Sequence, residues 1–155
     1  MTQRLNYAKS FPEGIHALVS LGRAIAGSGL ERSLLELIKV RASQMNGCAY
    51  CIDMHTKDAR ANGETEQRLY ALSAWRETPF FTPRERAALA WTEAITNIQQ
   101  GHASEEAYEE VRPAFDEAEL VKLTLAITYI NTWNRLAIAF RAEAGTYNPA
   151  ANNTA

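Results

Sequence analysis

Both cysteines of the chain fall in one short stretch, Asn46-Gly47-Cys48-Ala49-Tyr50-Cys51-Ile52-Asp53-Met54-His55. The thiols are three residues apart, and an imidazole follows the second by four. Such a set can serve three chemistries: zinc ligation, thiol–disulfide exchange or peroxide reduction. Cys48, Cys51 and His55 would supply three zinc ligands, but structural zinc takes four. His16 and His102 stand apart in sequence, and iron–sulfur ligation is short of thiolates. No metal and no cofactor is expected. Thioredoxin-like exchange needs a strand leading into the motif within a βαβ pattern, whereas a helical pattern leads into this one.

Peroxide reduction fits the positions. A thiolate attacks the O–O bond of a hydroperoxide and becomes a sulfenic acid. A second thiol within reach condenses with it before over-oxidation. Cys48 falls at a predicted helix start, where free N–H groups and the helix dipole stabilise a thiolate. His55 lies on the same helical face as Cys51 and is placed to take its proton. Position alone leaves the order of attack open; the i, i+4 imidazole favours Cys51 as attacker and Cys48 as resolver.

The elements that position this stretch read as helices. Pro12 opens one at its first position, carried by Leu18, Leu21 and Ile25 until Gly27-Ser28-Gly29. His16 has a packing or surface role in it. A second helix runs from Leu30 or Glu31 to Met45 with a stripe of Leu34, Leu37, Ile38, Ala42 and Met45. By spacing, Glu36 reads first as a surface glutamate paired with Lys39 or Arg41. Asn46-Gly47 ends this helix, glycine suiting the left-handed conformation beyond a helix end. The motif helix runs from about Cys48 to Ala61 and stops at Asn62-Gly63.

A short helix follows over residues 64–74. Thr82, Pro83 and Glu85 are the N-cap, first and third positions of the next. It carries Ala87, Ala90, Trp91, Ala94, Ile95 and Ile98 on one side and ends near Gly101, with His102 solvated beside it. Ser104 opens a brief acidic helix that Pro113 stops. Asp116 caps the longest helix, predicted to reach Ala144-Gly145. Asn131, Asn134 and Arg135 interrupt its apolar stripe and predict a hydrogen-bonded network, buried or at a subunit contact. Residues 1–11 lack periodicity, and residues 147–155 read as a disordered tail. No stretch alternates as a strand does, so the prediction is one all-α domain, a bundle of about six to seven helices.

Composition narrows the function. A chain of 155 residues with 46% hydrophobic residues can bury one core. A net charge of −2 offers no electrostatic footprint for nucleic acid. No run approaches the roughly 18 apolar residues of a membrane span, and the N-terminus lacks a signal-peptide core. The expected compartment is the cytoplasm, where thiols are reactive rather than structural.

At Glu36, Cys48-Ala49-Tyr50-Cys51 and His55 the chain resembles the carboxymuconolactone decarboxylase family, in its AhpD-like alkylhydroperoxidase branch. Lys39 to Gly47 is also similar, and the resemblance is clearest over residues 30–61 and weaker to about 97. It implies an all-helical bundle assembled as trimers or hexamers. The implied reaction is reduction of a small hydroperoxide through a Cys48–Cys51 redox disulfide, recharged by a dithiol or protein-thiol reductant. On this resemblance Cys51 is the peroxidatic thiol, Cys48 its disulfide partner, His55 the base and Glu36 the group that orients or recharges it. The chain departs from AhpD proteins at Tyr50, where they tend to carry a histidine. The alternatives are a dithiol–disulfide electron carrier for a partner protein and, less favoured, a lactone decarboxylase, whose relatives lack the cysteine pair.

Overall fold

The computed structural model describes residues 2–149. They form nine α-helices and no strand: α1 (Tyr7–Ser10), α2 (Pro12–Ala26), α3 (Arg32–Asn46), α4 (Ala49–Ala61), α5 (Glu66–Ala71), α6 (Pro83–Thr96), α7 (Ile98–Gly101), α8 (Glu105–Val111) and α9 (Glu117–Phe140). Two of them, α1 and α7, are four-residue turns, and the other seven are the predicted bundle. Short 3₁₀ segments continue α5 over Leu72–Glu77 and α8 over Arg112–Ala114.

Local chemistry sets the helix ends. Pro12 and Pro83 occupy first-turn positions in α2 and α6, where a missing N–H costs nothing. Thr82 with Glu85, and Asp116 with Glu119, close reciprocal capping boxes at the starts of α6 and α9. Gly47 takes φ 69°, which lets the chain leave α3 and enter α4 two residues later.

The central element is α3, which packs against α4, α6 and α9. Its residues from Leu34 to Ile38 are all buried, so nearly every side of it faces protein. Leu34 and Ile38 join Leu123 and Ile127 of α9; Leu37 and Val40 join Leu72, Trp75 and Leu89. Each such fully buried aliphatic side chain contributes about 1.5–3 kcal/mol. Ala42, at the far end, packs with both cysteines, Ile130 and Ala137.

The polar interruption in α9 is a buried seam. Asn46 Nδ2 donates to Asn131 Oδ1 at 2.9 Å and to Asn134 Oδ1 at 2.8 Å. Asn131 Nδ2 donates to Thr96 Oγ1 and Ile127 O, and Asn134 Nδ2 to Ser43 Oγ. Arg135 itself is exposed, yet its guanidinium donates back to Asn131 O and Oδ1. The seam ties α3, α6 and α9 together one residue before Gly47, and so fixes where the cysteine helix begins.

Three predicted details differ. The α6 pattern breaks at Asn97, whose backbone leaves the helical region, and Ile98 turns outward to 44% exposure. The brief acidic helix opened by Ser104 does stop ahead of Pro113, at Val111, and the chain runs on as a 3₁₀ turn over Arg112–Ala114, where a proline is tolerated. The last helix ends at Phe140 rather than near Ala144, because Arg141 adopts φ 56° and Ala142 N–H closes onto Ala137 O. The predicted disordered tail is pinned at its beginning: Tyr147 Oη donates to Asp58 Oδ1 at 2.7 Å, and Lys57 Nζ to Tyr147 O at 3.0 Å. Residues 150–155 of that tail lie outside the described residues. The aperiodic N-terminal segment carries α1, capped by Asn6, and Arg4 N–H donates to Phe140 O.

Candidate active site

Cys48 is the N-cap of α4, and its Sγ accepts the Cys51 N–H at 3.3 Å. The two cysteines form a disulfide with a Cα–Cα separation of 5.4 Å. Both are 1% exposed. The bond thus closes across the first turn of α4, at the end of the helix where partial positive charge gathers.

Behind it lies a buried acid–imidazole pair. Glu36 on α3 and His55 on α4 are 6% and 7% exposed, and Glu36 Oε2 is 3.0 Å from His55 Nδ1. The other carboxylate oxygen, Oε1, accepts from Lys39 Nζ at 2.8 Å. Burial pushes the Glu36 carboxyl up, but the His55 hydrogen bond and the Lys39 charge outweigh it and bring its pKa down to about 2. An ionised carboxylate only accepts, so Nδ1 carries the proton and donates it. In the neutral ring that leaves Nε2 as the basic nitrogen.

Asp58, on α4 beyond His55, completes a cluster in which Glu36, His55 and Asp58 offer ligand atoms within 4.8 Å of one another. Two carboxylates and an imidazole suit a hard or borderline cation. In this structure, however, Lys39 and His55 occupy the Glu36 oxygens and Tyr147 occupies Asp58. The cysteines take no part in the cluster, since they are bonded to each other.

Two cavities flank the motif. A largely apolar pocket of about 290 Å³ is lined by His55 and Lys39, with Tyr7, Tyr50, Tyr129 and Trp133 among its walls. Gly22 on α2 makes room there, because a Cβ at this position would overlap the Tyr129 hydroxyl. Burial pushes the Tyr7 phenol up, with Tyr50 adding to it, so this ring is an uncharged wall. A second, open groove of about 750 Å³ runs past Cys48 between the α4 start and the end of α9.

The structure therefore brings Cys48, Cys51, His55 and Glu36 to adjoining turns of two helices. The predicted Glu36–Lys39 pairing is present as well, but the glutamate is buried rather than on the surface. His16 and His102 are exposed and line neither cavity beside the motif. Sequence reasoning missed Gly22, Tyr7, Tyr129 and Trp133 as pocket residues. The available signals were a glycine inside α2, where it costs about 1 kcal/mol against alanine, and the Trp133 ring beside two asparagines.

An all-helical fold built around a Cys-x-x-Cys helix start, backed by a Glu–His pair, defines an AhpD-like class of protein. Residues 12–94 match the carboxymuconolactone decarboxylase family, and the chain belongs to that family, in its AhpD-like branch. The uncharacterised protein YdfG of Bacillus subtilis is 47% identical over 146 residues, covering 94% of this chain and 99% of its own length. A crystal structure of an Agrobacterium tumefaciens protein of unknown function, considered an AhpD antioxidant defence protein, superposes with a TM-score of 0.90. It is 45% identical and covers 94% of this chain and all of its own. The debrominase Bmp8 shares the fold, with a TM-score of 0.79 at 21% identity over 89% of this chain and 74% of its own. Among the described residues no helix is long and apolar enough to cross a membrane.

Proposed function

We propose that the protein is a thiol-dependent hydroperoxidase. The observation that carries this reading is the buried Cys48–Cys51 disulfide on the same helix as His55, whose Nδ1 is held by an ionised Glu36. In the reduced protein the Cys51 thiol gives its proton to His55 Nε2, and the thiolate attacks the terminal oxygen of a hydroperoxide. The O–O bond breaks, the alcohol leaves with a proton, and Cys51 becomes a sulfenic acid. Cys48 then attacks that sulfur, expelling water and forming the disulfide. Glu36 keeps the imidazole in one tautomer and stabilises its protonated form.

The pocket beside His55 supports a compact organic hydroperoxide as substrate, its hydrocarbon part against Tyr129 and Trp133. Tyr50 stands where AhpD proteins tend to carry a histidine, so proton transfer in this proposal rests on His55, held in place by Glu36. Self-association is part of this proposal: Val121 and Leu125, one turn apart on α9, are 61% and 43% exposed, which supports a face for copies of the chain.

The test is steady-state consumption of cumene hydroperoxide with a dithiol donor, by wild type and Cys51→Ser in parallel. Turnover by wild type alone supports the reading; equal rates end it. The open groove beside Cys48 favours one second reading, a dithiol–disulfide carrier for a partner protein. That reading wins when oxidation by peroxide is slow while exchange with a protein disulfide is fast.

A further inference from the structure

The two cavities meet the cysteine pair unequally. Cys48 lines the open groove, Cys51 lines neither cavity, and Tyr50 stands in the wall of both. A reagent in the groove therefore stands on the Cys48 side of the buried disulfide, while the second cavity reaches His55. The groove also carries charge. Arg4 and Arg141 line it together with a single acidic residue, Glu143. Arg4 is held in place by its bonds to Ala139 O and Phe140 O. Neither arginine has a carboxylate in ion-pair range among the described residues. With one carboxylate against two guanidinium groups and the α4 N-terminus, the rim is positive.

We propose that the oxidised pair is recharged from this groove, by an anionic thiol that attacks Cys48. This rests on the redox reading of the pair above. The donor thiol releases its proton to solvent, its thiolate bonds to Cys48 Sγ, the Cys48–Cys51 bond breaks, and Cys51 leaves as a thiolate that takes up one proton from solvent by way of His55. A second donor thiol attacks the donor sulfur of the mixed disulfide. Cys48 departs as a thiolate and receives the second proton. The balance is two donor thiols oxidised to one external disulfide and one protein disulfide reduced to two thiols. Peroxide and reductant thus enter by two different cavities that share Tyr50 and do not compete for one opening.

The test contains no peroxide, so it stands apart from the hydroperoxidase assay. The purified disulfide form is mixed with 3-mercaptopropionate or with cysteamine, quenched with iodoacetamide and mapped by mass spectrometry. The expected adduct is mercaptopropionate on Cys48 with Cys51 alkylated; an adduct on Cys51 overturns the proposal. Reduction rates are then compared with those of Arg4→Gln/Arg141→Asn, asparagine being tolerated at the left-handed position of Arg141. The double variant is expected to lose about fivefold with 3-mercaptopropionate and nothing with cysteamine, as for two partly screened charges. Equal loss with both thiols, or none with either, overturns the charge selection. Should wild type fail to consume peroxide yet show the Cys48 adduct and the charge dependence, the hydroperoxidase reading falls and the groove assignment stands.

Discussion

The Glu36 carboxylate and the His55 imidazole are a buried pair joined across two helices, 3.0 Å apart. Because the carboxylate is ionised, it dictates which imidazole nitrogen carries the proton. The nitrogen left basic is Nε2, on a ring that lines the pocket. General acid–base assistance of this kind is worth about 10²–10⁴-fold. His55→Ala is expected to lower peroxidase turnover by about 10²-fold or more and to raise the Cys51 thiol pKa. Alkylation of the reduced protein by iodoacetamide across pH 5–9 measures the second effect; an unaltered curve removes His55 from the mechanism.

Glu36 also makes an acid-stability prediction. Its folded pKa of about 2 lies below an ordinary value of 4.5. A lowered carboxylate pKa adds stability that is full above the ordinary value and fades as pH falls through the folded one. The contribution is about 3 kcal/mol at neutral pH. Urea midpoints should therefore fall for wild type between about pH 4.5 and 2, and Glu36→Gln should flatten that part of the profile. Parallel profiles for the two proteins would contradict the ion pair.

The asparagine seam predicts a loss of stability that reaches the site. Asn134→Ala leaves Ser43 Oγ without its donor and removes one acceptor from Asn46 Nδ2. Unmade buried hydrogen bonds cost about 1–3 kcal/mol, so the urea-derived stability should drop by about 2 kcal/mol. Because Asn46 precedes Gly47 and Cys48, the same variant should slow disulfide closure after peroxide treatment, read by mass spectrometry. Wild-type stability would show the seam to be ornamental.

At the end of α9 the prediction has the opposite sign. Arg141 holds φ 56°, a conformation that costs a side-chain-bearing residue about 1–2 kcal/mol. Arg141→Gly should raise stability by about 1 kcal/mol, after the loss of chain entropy in the unfolded state is set against it. Calorimetry under matched conditions checks this.

Much of this architecture was legible in short-range chemistry. Gly47 marked the end of α3 and thereby placed Cys48 at the start of the next helix, and Thr82 with Glu85 marked the start of α6. These signals act within four residues, so one chain suffices to read them. Glu36 was another matter: its neighbours Lys39 and Arg41 suggested a surface ion pair, and only the approach of α4 buries it. The aromatic pocket joins Tyr7, Gly22, Tyr50 and Trp133 from four helices, a juxtaposition that no local spacing encodes. The early end of α9 escaped for a related reason. An arginine replaces the expected glycine, and the chain beyond it is held by contacts to α4 through Tyr147.

Cys48 Sγ, finally, is both a redox atom and the acceptor that caps α4 through the Cys51 N–H. A thiolate accepts a hydrogen bond more strongly than a disulfide sulfur does, as charged acceptors generally do. The electron count of the pair is therefore transcribed into the hydrogen-exchange rate of one backbone amide. Exchange at Cys51 should slow when the protein is reduced at a pH where Cys48 is ionised. A single amide resonance can then follow the oxidation state without a label, a substrate or a coupled enzyme.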